Sequence, residues 1–148
     1  MIKKNKIFVA CDSSNISKVK EIIKNTQNSK IKIGYKFGLE FFNSKNGRSF
    51  ISKLKKKIIF ADLKLHDIPN TCISAVKAIK DLNVNYLTIH VSAGLEALKA
   101  VKKVSGNTKI IGVTILTSLD NKSLKEIGFR KNIKKLVLHQ AKLANKAK

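Results

Sequence analysis

Within the six residues Asp62-Leu-Lys-Leu-His-Asp67 lie two carboxylates, an ammonium group and an imidazole. The segment continues the apolar run Ile58-Ile-Phe-Ala, so it reads as the end of a β-strand. Strand side chains alternate between two faces, which predicts Asp62 and Lys64 on one face and Leu63 and Leu65 on the other. If the leucines pack on helices, a carboxylate and an amine project to the opposite side, where charges are rarely buried without a task. Such a charge cluster can hold a lysine as ammonium and strain a substrate carboxylate.

Polar groups recur at matching places along the chain. Asp12 follows the β-type run 7–11, Lys36 closes the run 31–36, His90 closes the run 85–90, and Thr117 and Ser118 follow the run 109–115. Together with 58–64 these make five short strands. Between them lie amphipathic stretches at helical spacing: 15–26 with Ile16, Val19, Ile22 and Ile23, then 49–56, 69–82, 94–104 and 133–148, with a helical turn expected near 123–127. Pro69 suits a first helical turn. Strands alternating with helices predict a parallel α/β sheet with right-handed crossovers. The choice lies between an open doubly wound sheet and a (β/α)8 TIM barrel. Five units in 148 residues extrapolate to roughly 230–240 residues for eight units, near the size of a barrel. The expectation is therefore one domain, 1–148, supplying about five βα units of a barrel and truncated at its C-terminus. In a parallel barrel the C-terminal strand ends hold the chemistry, so Asp12, Lys36, Asp62 and Lys64 are expected to converge.

Composition narrows the partners. The formal net charge is +22, from 31 basic and 9 acidic residues, but only Arg48 and Arg130 are arginines. The lysines are spread along the chain, many on the polar sides of expected helices. Specific nucleic-acid readers lean on arginine for bidentate contacts, so no dedicated nucleic-acid partner is expected. The basic surface instead attracts anionic substrates in general. Cys11 and Cys72 lack metal-ligand spacing and sit among apolar neighbours, as small buried thiols do. No disulfide framework is implied, which fits a reducing cytoplasm. No apolar stretch follows Met1-Ile-Lys-Lys-Asn-Lys, so no signal peptide is expected, and the apolar stretch 110–119 is too short for a membrane span.

Each of these residues also has a plainer reading. Asp67 before Ile68-Pro69 is placed to cap the next helix. Lys36 is consistent with one more surface lysine, and Asp62 with Lys64 is consistent with a structural ion pair. His90 reads as a satisfied wall histidine, and Gly34, Gly38 and Gly94 as sites of close backbone packing. The sequence holds no Gly-rich phosphate loop, nucleophile elbow or metal-ligand cluster.

The extended segment Asp62-Leu-Lys-Leu-His-Asp-Ile-Pro-Asn-Thr71 resembles the signature of the orotidine 5′-phosphate decarboxylase family. Asp-x-Lys-x-x-Asp is shared across the wider barrel superfamily, whereas His-Asp-Ile-Pro-Asn-Thr is more specific to the decarboxylases. Val9-Ala-Cys-Asp12, Lys36-Phe-Gly-Leu-Glu-Phe-Phe42, Ile89-His-Val-Ser-Ala-Gly94, Val113-Thr-Ile-Leu-Thr-Ser118 and Val137-Leu-His-Gln-Ala-Lys-Leu-Ala144 resemble further family motifs in the same order. The resemblance implies decarboxylation of orotidine 5′-phosphate to uridine 5′-phosphate in pyrimidine biosynthesis, in the cytoplasm, with no metal or organic cofactor. It implies that Lys64 protonates C6 of the pyrimidine and that Asp62 sits against the substrate carboxylate. It further implies that Asp67 reaches across a homodimer interface into the partner's site. Asp12, Lys36 and Thr71 would contact the ribose or hold the charge network, and Thr117 would lie close to the nucleotide. Leu63, Leu65, His66, Ile68, Pro69 and Asn70 fall within the same substrate-binding signature.

The family continues past the fifth unit with strands whose loops carry a Gln, a Pro-Gly-x-Arg-type loop and a final Gly-Arg that grip the 5′-phosphate. The present sequence stops short of them, so the isolated chain is expected to be poorly active, since remote phosphate contacts support the chemical step. Two other readings remain. One is a magnesium-dependent superfamily relative, a hexulose-phosphate synthase or keto-gulonate-phosphate decarboxylase; Ile68-Pro-Asn-Thr71 and Lys36-x-Gly38 weigh against it. The other is an inactive basic binding fragment.

Overall fold

The computed structural model describes residues 6–27 and 31–148, so the opening segment read for targeting lies largely outside the described residues. Five strands, β1 (Lys6–Ala10), β2 (Lys32–Gly38), β3 (Ile58–Leu65), β4 (Tyr86–His90) and β5 (Lys109–Val113), form one sheet in the order β1-β2-β3-β4-β5. β1 with β2 and β2 with β3 pair parallel. Neighbours in strict chain order are what a barrel requires. A doubly wound sheet reverses its order at a switch point, so this order decides between the two architectures. By contact density the chain divides into two compact units.

The first unit runs through Leu63 and also holds Ala78–Leu87 and Asn107–Lys109. Its helices are α1 (Ile16–Thr26), α2 (Leu39–Asn43) and α3 (Gly47–Ser52). Asn15 starts α1 by accepting from the amides of Ser17 and Lys18, as an N-cap residue does. Val19 and Ile23, one turn apart, are the buried stripe of α1. Tyr35, Phe37, Ile59 and Ala61 are buried on the sheet, and the Tyr35 hydroxyl donates to the Ile23 carbonyl of α1. The opposite face follows from the register, in which Phe8 lies beside Gly34, Lys36 beside Phe60, and Gly38 beside Asp62. The rings of Phe8, Phe60 and Tyr86 pack there at centroid distances of 5.1–5.9 Å. Gly34 makes room for them, since a Cβ there would stand 2.7 Å from the Phe8 ring.

The second unit holds Lys64–Lys77, Thr88–Gly106 and Ile110–Lys148. It contains most of α4 (Pro69–Ala78), with α5 (Leu95–Val104), α6 (Asn121–Glu126) and α7 (Ile133–Asn145). Asp120 caps α6 through the Ser123 amide and Asn132 caps α7 through the Lys135 amide. Cys72, Ile89, Val91, Ala97, Val101 and Leu124 are among its buried side chains. Gly112 lets β5 approach closely, because a Cβ there would meet the Val91 side chain at 2.9 Å. Cys11 and Cys72 are both free and buried, as expected.

Two helices differ from the sequence expectation. The expected helix 69–82 ends at Ala78, and a single 3-10 turn, Lys80–Leu82, follows before Asn83 takes a left-handed conformation at φ +49°. The Arg48 guanidinium donates to the Ala78 carbonyl and to Asp81, satisfying a helix end by a side chain in place of another turn. The expected helix 49–56 is shorter and shifted, and α2 lies directly on the end of β2 where no helix was expected. No helix among the described residues is long and apolar enough to cross a membrane.

Candidate active site

In the first unit, Asp12, Lys36 and Asp62 meet. The Lys36 ammonium lies 3.3 Å from Asp12 Oδ2 and 3.4 Å from Asp62 Oδ2. The backbone dictates this meeting: the register sets Ala10 beside Lys36 and Gly38 beside Asp62. Asp12 follows β1, Lys36 lies toward the end of β2, and Asp62 lies on β3. The side chain of Asp62 is 13% exposed, whereas that of Asp12 is 55% exposed. The cation thus joins a buried carboxylate to an open one. Gly38 leaves room for this arrangement, since a Cβ there would come 3.3 Å from Asp12 Oδ1. Beside the network, burial and then the charge of Asp12 push the Cys11 thiol up to about 11, against which Lys36 acts. Cys11 is thereby a neutral thiol at physiological pH and not a nucleophile.

In the second unit, Lys64 is one of two described non-glycine residues with positive φ, at +48°. Its N–H donates to the Thr88 hydroxyl at 2.8 Å, and Thr88 is 3% exposed on β4. The alternation that predicts Asp62 and Lys64 on one face assumes extended backbone. At Lys64 the backbone leaves that region, and Leu63, Lys64 and Leu65 are all half-buried. A left-handed conformation costs a residue with a side chain, and such strain collects at functional positions.

His66 and His90 pack ring on ring at a centroid distance of 4.9 Å and 31° between planes, and Ser92 Oγ lies 3.2 Å from His66 Nε2. Burial, then the charges of His66 and Lys64, lower the pKa of His90 below the usual histidine range. His90 therefore favours its neutral form. Asp67 is exposed, and its carboxylate accepts from the adjacent Ile68 N–H at 2.7 Å rather than from the first-turn amides of α4. Asp67 is thus not the helix cap. Its carbonyl accepts from the buried Cys72 thiol, which pins the loop to α4. Ile68 is 66% exposed, Pro69 opens α4, and Asn70, Thr71 and Thr117 are exposed.

The sequence reading missed Thr88, Ser92 and the strained backbone of Lys64. Thr88 was within reach of strand alternation, because it shares a face of β4 with His90. Among the described residues no group of three His, Cys, Asp or Glu side chains could hold a metal ion.

A family model described as orotidine 5′-phosphate decarboxylase / HUMPS family matches residues 5–148. The chain is 43% identical to the orotidine 5′-phosphate decarboxylase of Wolbachia sp. subsp. Brugia malayi, over 96% of this chain and 64% of that protein. It is 36% identical to the orotidine 5′-phosphate decarboxylase of Fusobacterium nucleatum, over 97% of this chain and 62% of the relative. The chain thus spans a little under two thirds of the length of these relatives. Among solved structures, the orotidine 5′-phosphate decarboxylase of Lactobacillus acidophilus superposes with a TM-score of 0.85 at 31% identity, over 97% of this chain and 68% of that one. The fold class is α/β, five βα units of the (β/α)8 barrel type, as the strand order already indicates.

Proposed function

The chain belongs to the orotidine 5′-phosphate decarboxylase / HUMPS family, and from that premise we propose that its gene product decarboxylates orotidine 5′-phosphate to uridine 5′-phosphate in pyrimidine biosynthesis. The observation that carries this reading is the Asp12–Lys36–Asp62 network, an ion triad centred on a lysine with one carboxylate side chain only 13% exposed. A carboxylate kept charged and nearly dry disfavours a substrate carboxylate beside it, and that repulsion is relieved when carbon dioxide departs. In the reaction the bond from C6 to the carboxyl carbon breaks and its electron pair stays on C6. The Lys64 ammonium then delivers a proton to C6, and its charge favours the carbanion as it develops. The strained backbone at Lys64 fits a position held for chemistry rather than for stability.

Asp12 and Thr71 take the ribose, Thr117 lies near the nucleotide, and Leu63, Leu65, His66, Ile68, Pro69 and Asn70 complete the binding signature. The active form is a homodimer in which Asp67 enters the partner's site; the exposure of Asp67 and Ile68 supports this. The whole stretch 1–148 acts as one domain of the barrel, located in the cytoplasm, with no dedicated nucleic-acid or membrane partner and no metal or organic cofactor.

The test follows loss of orotidine 5′-phosphate absorbance with the full-length gene product, as wild type and Lys64→Ala, with and without chelator. Turnover should withstand the chelator and fall by at least about a thousandfold in Lys64→Ala, toward the upper end of what a positioned acid contributes. Chelator-sensitive turnover would move the protein to the magnesium-dependent relatives, and undiminished turnover in Lys64→Ala would remove Lys64 as the proton donor.

A further inference from the structure

The second unit contains a cavity of about 440 Å³, lined by none of the residues given a role in decarboxylation. Its size falls in the range of about 300–1,000 Å³ typical of small-molecule sites. Val91 lies on one side, and Leu136, Gln140 and Leu143 lie on successive turns of one face of α7. Among apolar neighbours, Gln140 is the exception. It is 4% exposed, and its Oε1 is buried with no hydrogen-bond partner among the described residues. Native folds leave few such atoms unpaired, and each one calls for a reason. An amide oxygen accepts and cannot donate, so what completes it is an N–H or O–H.

The rest of the lining adds a second requirement. Arg130, Lys131 and His139 border the same cavity, and no described carboxylate forms an ion pair with them. The planar fork of an arginine beside a lysine suits a phosphate or carboxylate. Phe129, the residue preceding this basic pair, supplies an aromatic ring to the wall. The cavity therefore combines a buried acceptor, apolar and aromatic walls, and a cationic rim.

We propose that this cavity binds a small organic anion built on a ring that carries an N–H donor, of the size of a nucleoside monophosphate. The N–H pairs with Gln140 Oε1, the ring lies against Val91, Leu136 and Phe129, and the anionic group meets Arg130 and Lys131. This assignment stands independently of the decarboxylase reading, because the two share no residue.

Adenosine 5′-monophosphate is a suitable probe: its amino group donates, its phosphate is anionic, and it is not a pyrimidine nucleotide. Calorimetric titration of the full-length gene product would compare it with adenosine and with inorganic phosphate. Gln140→Met keeps the side-chain volume without the acceptor, and Arg130→Ala alters only an exposed position. Each should weaken binding of the nucleotide about tenfold, the loss of one hydrogen bond or one charge-assisted contact. Adenosine should bind about tenfold more weakly than the nucleotide, and phosphate alone should not saturate. Lys64→Ala should leave the affinity unchanged, which separates this site from the one proposed for decarboxylation. Absence of binding at millimolar nucleotide overturns the proposal. So does an affinity unaltered by Arg130→Ala, which stands even if Gln140→Met fails to fold, and so does phosphate binding as tightly as the nucleotide.

Discussion

Replacing Lys64 by glycine keeps its left-handed backbone while removing the Cβ that makes it costly. At φ +48° the Lys64 Cβ crowds the following carbonyl, at a cost of about 1–2 kcal/mol for a residue with a side chain. Glycine escapes that cost but enlarges the unfolded ensemble, which returns about 0.5–1 kcal/mol. The proper reference is Lys64→Ala, which removes the ammonium group equally yet keeps the Cβ. Both variants retain the backbone N–H that donates to Thr88, so the difference between them isolates the backbone. Lys64→Gly should exceed Lys64→Ala by about 0.5–1 kcal/mol, a shift of roughly 0.3–0.5 M in the urea midpoint for a typical slope. Asn83, at φ +49°, is an internal control. Asparagine tolerates this region, so Asn83→Gly should change stability little relative to wild type. If Lys64→Gly is no more stable than Lys64→Ala, the backbone at Lys64 is unstrained and strain has no part in its role. If the gain appears while both variants lack turnover, this position trades stability for chemistry.

Double-mutant cycles in chemical denaturation should separate the two pairs of the ion triad. Lys36 with Asp62, whose side chains are 26% and 13% exposed, should couple by about 1–2 kcal/mol. Lys36 with Asp12, 55% exposed, should couple by less than about 1 kcal/mol, and equal couplings would contradict the role of burial. His90 favours its neutral form in the fold, so the unfolded chain binds more protons around and below the ordinary histidine value of 6.5. Stability should therefore fall as pH drops through that window, and His90→Gln should flatten this slope in denaturation midpoints measured from about pH 7.5 to about pH 5. Cys11, buried and with its thiol pushed up to about 11, should resist alkylation at neutral pH in the native protein and react on unfolding. Labelling of native Cys11 at the rate of an exposed thiol would show the site to be open.

Most of the element plan was legible because apolar runs of period two alternate with stripes at helical spacing, and Pro69 marks a helix start; the caps Asn15 and Asn132 come from the structure. The ion triad was legible for a related reason. Lys36 is level with Ala10 and Phe60, and Asp12 and Asp62 each lie two residues further along their strand direction, so parallel register brings both carboxylates within reach of one long lysine side chain. The helix α2 was not foreseen, since Leu39-Glu-Phe-Phe is as apolar as the strand it follows and begins at the residue after β2 ends on Gly38. The end of α4 escaped because the guanidinium that completes it comes from Arg48, thirty residues away. The stacking of His66 on His90 and the bond from Lys64 to Thr88 also join residues distant in sequence. No local propensity predicts the backbone of Lys64. Strand alternation assumes extended backbone, and the positive φ at Lys64 departs from it.

The strand order has a bearing on how the chain folds as it is made. Hydrogen bonds between successive strand regions recur at nearly constant separations: 24 residues from Asp12 to Lys36, 26 from Lys36 to Asp62, 24 from Lys64 to Thr88, and 24 from Val84 to Thr108. Each new strand therefore finds an edge that has already left the ribosome, and none waits for a strand still to be synthesised. Loop closure costs about the same at every step, because that entropy grows only slowly with length. The sheet can thus be laid down at the pace of translation, one βα unit after another. Each arriving strand covers the backbone edge of the one before it, the surface most prone to pairing with another chain.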